Sequence, residues 1–207
     1  MEQKDYLKDI SEIKNMMNRS TRFLSLSGLS GILAGIYATI GGGVAYTLLK
    51  GYGQGYGSMG DVIPVGILEL ILIGIALLVA ILAISSGYIL TKRKAKKNNE
   101  KFWSPASTQF FAALFIPIAA GGIFILLLIY RGYYGVVAPA TLLFYGIGLV
   151  SASKYTLNQI KYLGLMEIVL GIMAMIFFGY GLLFWVLGFG ILHIIYGSLI
   201  YFGTDKK

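Results

Sequence analysis

The chain has 207 residues, is 57% hydrophobic and only 13% charged, carries a net charge of +8 and has no cysteine. Soluble domains hold about 25% charged residues, so a water-covered globule is excluded. The apolar content excludes intrinsic disorder, and the lack of cysteine excludes a disulfide-stapled secreted domain. An integral membrane protein remains.

Residues Met1–Arg22 are polar and charged, and Tyr6, Ile10, Ile13 and Met17 recur within them at spacings of 4, 3 and 4. That spacing predicts one apolar stripe on a cytoplasmic amphipathic pre-helix. Such a helix either lies on the membrane or under the bundle, or makes a short contact with another copy or a partner. It is too short to define a coiled coil. A polar start followed by a long apolar stretch is not a signal peptide.

Six apolar stretches follow: Phe23–Leu49, Val62–Leu90, Thr108–Tyr130, Gly135–Ala152, Leu163–Tyr180 and Leu182–Phe202. A helix of about 20 residues crosses a ~30 Å hydrocarbon core, and the fourth and fifth stretches lie near the lower limit. None alternates as a barrel strand does. The expected fold is all-α: a six-transmembrane-helix bundle over 23–207, preceded by the pre-helix over 1–22.

The first stretch carries Ser27, Gly31, Gly35, Thr39 and Gly43 at a constant spacing of four. This row of small residues predicts close helix packing, within the chain or between copies in a homo-oligomer. Gly41, Gly42 and Gly43 should loosen the far end of that helix.

Basic residues orient the bundle. With the N-terminus in the cytoplasm, Lys4, Lys8, Lys14, Arg19 and Arg22 lie inside, as do Lys92, Arg93, Lys94, Lys96, Lys97, Lys101, Lys154, Lys161, Lys206 and Lys207. Only Lys50 and Arg131 lie outside. This positive-inside bias places both termini in the cytoplasm and an even number of spans between them. The run Thr91–Lys97 then reads as part of a stop-transfer loop, Lys92–Lys101, lying against anionic lipid. It is not read as a nucleic-acid site.

Related strings hint at an internal repeat: Lys50–Gly53, Arg131–Gly135 and Phe178–Gly181 at the outer ends, and Gly35–Ala38, Pro117–Ala120 and Gly171–Ala174 within the odd-numbered stretches. Three helical hairpins of one kind are one reading. Two inverted halves of three helices, with Glu69 and Glu167 in equivalent positions, are the other.

Three ionisable residues fall inside the stretches. An acidic side chain at a helix centre costs about 2.5–3.5 kcal/mol on insertion scales and so faces the bundle interior or water. Counted from the stretch edges at ~1.5 Å per residue, Glu69 lies about 10 Å deep, His193 about 16 Å and Glu167 about 6 Å. Glu69 therefore reads as the leading proton- or cation-binding carboxyl, with His193 as its first partner. Glu167 is placed near the inner interface, within reach of Lys161 or a lipid headgroup. Tyr37, Tyr145 and Tyr196 are candidate hydroxyl donors. One His and no Cys give no metal cluster. No phosphate loop, Ser–His–Asp set or HExxH is present, and no lysine sits inside a span to hold retinal. No cofactor and no enzymatic activity are expected.

The stretch Ser25–Ala38 behind a charged pre-helix containing Met16 and Met17 resembles a group of small uncharacterised bacterial membrane proteins. The resemblance covers about the first fifth of the chain. It implies a bacterial cytoplasmic membrane and no activity. The hairpin pattern is similar in outline to mitochondrial carriers, whose Pro-x-Asp/Glu-x-x-Lys/Arg signature is missing. The sequence thus points to a small transporter or channel-like protein for a small solute or cation, using Glu69, His193 and Glu167. The alternative is a non-transporting adaptor acting through the pre-helix and the basic loop.

Overall fold

The structure is a computed structural model that describes residues 22–52 and 63–205. The pre-helix expectation falls outside the described residues except for Arg22, as does most of the outer loop after Tyr52. Among the described residues the fold is all-helical. Helices α1 (Gly28–Tyr52), α2 (Val65–Lys97), α3 (Pro105–Tyr130), α4 (Val137–Ala152) and α5 (Asn158–Ile176) are followed by a composite sixth span, Gly181–Gly203. That span joins α6 (Gly181–Trp185), a π-helical turn pair Val186–Leu192, α7 (His193–Ile200) and a second π segment, Tyr201–Asp205.

Several boundaries differ from the hydropathy reading, for local reasons. Residues Phe23–Ser27 are apolar enough to count with α1 yet are not helical. Phe23 N–H instead donates to Tyr155 O at 2.7 Å and the Thr156 hydroxyl donates to Phe23 O at 2.7 Å. The segment is thus held by partners on the α4–α5 connection. At the end of α2, the basic run is helix and not loop. Lys and Arg are good helix formers, and Lys94, Lys96 and Lys97 occupy the last turn, where the helix dipole favours cations. Helix α5 begins at Asn158, before its apolar stretch, and ends at Ile176 because the chain turns through Gly179 at φ +98°. Ser104 caps α3 reciprocally with Ser107, with Pro105 at the first helical position.

The helices form a chain of neighbours. Helix α2 packs on α1, α1 on the sixth span, the sixth span on α4 and α5, and α3 on α4; α2 and α3 barely touch. Glycines set the close contacts. Gly31 faces Gly197, and Gly35 and Thr39 face Gly190. The small-residue row of α1 is therefore used inside the chain, except at Gly43, beside which nothing lies within 4 Å. Gly146 and Gly164 meet in the same way between α4 and α5.

The outer surface is apolar. Helices α2 and α3 have mean hydropathy of 3.1 and 2.7 over their most apolar windows, of which only 6% is buried. Leu70, Ile116 and Ile123 are each more than 60% exposed. Apolar patches on water-soluble monomers are limited to a few hundred Å², so this girdle needs a lipid solvent. Six helices long and apolar enough to span mark a multi-pass membrane protein.

Candidate functional site

Glu167 is the middle residue of α5 and is fully buried. Its helix starts five residues before the apolar stretch. Nine residues in from Asn158, it stands about 14 Å from that end. Lys161 is exposed near that end and is not its partner. Glu69 shifts the other way. Helix α2 starts only at Val65, so Glu69 is about 6 Å in, half-buried and facing the Tyr134 hydroxyl. The expected Glu69–His193 pair is thus replaced by Glu167 and His193.

The two residues meet at mid-height. His193 Nδ1 lies 3.4 Å from Glu167 Oε1 and 3.0 Å from the Gly188 carbonyl. On the other side of the ring, Nε2 is 2.8 Å from the Tyr145 hydroxyl. The tautomer follows from chemistry. A carbonyl only accepts, so Nδ1 carries the hydrogen and donates to Gly188 O. The lone pair of Nε2 then accepts from Tyr145. Neither Glu167 oxygen has a hydrogen-bond partner; the contact with Nδ1 is a close approach without bonding geometry. A buried polar group left unsatisfied costs about 1–3 kcal/mol.

The surroundings hold this arrangement in place. His193 is 7% exposed and stacks on Tyr145 and Phe189, with ring planes 28° and 20° apart. A Cβ at Gly188 would crowd the Glu167 carboxyl and Leu142, so the acid sits directly against this glycine. The π-helical stretch Val186–Leu192 ends at His193 and aims Gly188 O at its ring. Single π turns occur preferentially at functional sites. The sequence reading missed this device; its trace is Gly188-Phe-Gly190 directly ahead of His193.

Tyr145 and His193 also line a cavity of about 590 Å³ that reaches from mid-height to the end of the bundle carrying the basic run. Glu167 lies behind them, out of the cavity lining. From the cavity inward, Tyr145 and His193 come first and Glu167 lies behind them. Tyr196 lines the cavity as well, whereas Tyr37 does not. Among the described residues no group of His, Asp and Glu could hold a metal ion. No family model, no curated protein and no solved structure matches this chain.

Proposed function

We propose that this protein is a small membrane transporter or channel-like protein for a small solute or cation, coupled to protons through Tyr145, His193 and Glu167. The observation that carries the reading is a fully buried carboxyl with no hydrogen bond, kept beside a histidine whose other face opens to a cavity through a tyrosine. A purely structural carboxyl would be bonded. One that exchanges protons must have an unfilled site.

With Glu167 ionised, the relay brings one proton from the cavity to the carboxylate and leaves it neutral. Tyr145 gives its O–H hydrogen to Nε2 and regains one from water or solute in the cavity. His193, now carrying both hydrogens, releases the one on Nδ1 to Glu167 Oε1. The reverse sequence releases it, and net flux follows when the bundle opens the cavity to the other side between loading and release. Glu69 and Tyr134 stand together at the opposite end, away from this cavity.

In reconstituted liposomes with an entrapped pH-sensitive dye, the protein dissipates an imposed pH gradient. Tyr145→Phe, which removes only the hydroxyl, slows this by about a hundredfold or more, in line with the usual ~10²–10⁴-fold contribution of a proton-transfer group. If the wild type moves no protons with or without added monovalent cations, the adaptor reading replaces this one.

The setting is the cell membrane, with both termini and the basic end of α2 in the cytoplasm against anionic lipid. Because the chain has no native cysteine, labelling gives a clean check. In intact cells an impermeant thiol reagent labels Tyr133→Cys and spares Lys96→Cys, both positions being exposed. The opposite pattern inverts the topology.

A further inference from the structure

The cavity that ends at Tyr145 and His193 is far larger and more apolar than a proton path needs. At roughly 30 Å³ per water-sized group, its 590 Å³ holds about twenty methylenes. Its wall is aromatic on the α3 side, with Phe102, Trp103, Phe110, Phe111 and Phe115. The side between α2 and α3 is open, since these helices do not pack on each other. Ile84, Tyr88 and Phe115 line the cavity and are also exposed at 60%, 46% and 45%. The opening therefore faces the hydrocarbon of the bilayer.

The rim of the cavity is cationic. Lys92 Nζ lies 3.3 Å from the hydroxyl of Tyr88, a lining residue, and 5.4 Å above its ring. Lys94 Nζ donates to the carbonyl of Leu26, another lining residue, at 2.8 Å. Glu100, the acid beside this rim, is engaged by the Ser25 hydroxyl.

We infer that the cavity seats the hydrocarbon chain of an anionic long-chain amphiphile, entering sideways between α2 and α3 and holding its head at Lys92. Water would be a poor filling for such a wall, and an apolar solute alone would make no use of the cation. A ~30 Å leaflet pair supplies chains of the right length at the right depth. The site shares its cavity with the proposed relay, so a seated chain and the water or solute that feeds Tyr145 exclude each other, and its test reads no flux.

Trp103 lines the cavity, and Trp185 is the other tryptophan of the chain, so Trp185→Phe leaves a single reporter. In phosphatidylcholine nanodiscs, a small fraction of dibrominated phosphatidylglycerol quenches Trp103 several-fold more than the same fraction of dibrominated phosphatidylcholine. A parallel arm with dibrominated stearate shows whether a single-chain acid or a phospholipid is preferred, and an excess in either arm supports the site. A side chain at Gly87, a lining position, starts into open space with nothing within 4 Å of its Cβ, so Gly87→Phe folds, fills the cavity and removes the excess. Ala34→Phe does the same from α1. Lys92→Gln lowers the preference about fivefold, the share of one basic residue at an anionic surface. Equal quenching by anionic and zwitterionic lipid in both arms overturns the proposal. So does an excess that survives both filling variants.

Discussion

Glu167→Met raises the melting temperature of the protein while abolishing its proton flux. The gain follows from what the carboxyl lacks. Both oxygens are buried and without a hydrogen bond, and relieving one unsatisfied buried polar group is worth about 1–3 kcal/mol. Methionine fills a similar volume with a flexible chain, and Leu142 and Gly188 already form an apolar and backbone wall around it. The histidine is not orphaned by the change, because Nδ1 keeps Gly188 O and Nε2 keeps Tyr145. Glu167→Gln gives no such gain, since its amide brings two donors to a place with no acceptor to spare. Thermal unfolding of the three proteins in one detergent, beside liposome flux, reads both effects. A lower melting temperature for Glu167→Met with flux intact would assign the glutamate a structural role. A stabilised, inactive variant is the signature of a site held at a cost to stability.

Gly35→Leu destabilises the bundle by about 3 kcal/mol, the upper end of the usual overpacking range, and Gly43→Leu leaves it within about 0.5 kcal/mol. The two glycines belong to the same row on α1 and differ only in what faces them. A Cβ at Gly35 meets the Gly190 carbonyl and Ile194 of the sixth span. Backbone cannot rotate aside as a side chain does, so α1 and the sixth span would have to separate along the seam that also holds Gly31 against Gly197. Nothing lies within 4 Å of a Cβ at Gly43, which leaves room for the leucine. Chemical unfolding in mixed micelles measures both. Equal effects would mean that the row packs against something other than the sixth span.

These variants also separate what composition dictates from what packing dictates. The lipid setting and the six helices were legible in the sequence because both rest on local quantities: the apolar content and length of each stretch and the scarcity of charge. The row from Ser27 to Thr39 was legible as a packing face for the same reason, since a spacing of four marks one side of any helix. Its partner was not, because Gly190 and Gly197 lie more than 150 residues further along the chain. Nor were the distances of Glu69 and Glu167 from their helix ends. Apolar stretches and helices do not share their ends. The polar turn Asn158–Lys161 is helical, and Ile63 and Pro64, which precede α2, are not part of it. Starts that differ by three residues in α2 and five in α5 changed how far each acid stands from its helix end. Only the tertiary structure decided that His193 stands between Glu167 and Tyr145, because that depends on how α4, α5 and the sixth span cross. A π turn, invisible to hydropathy, sets the final direction of the ring. The cavity is decided by packing alone, as it exists because α2 and α3 rest on different neighbours and leave their own faces apart.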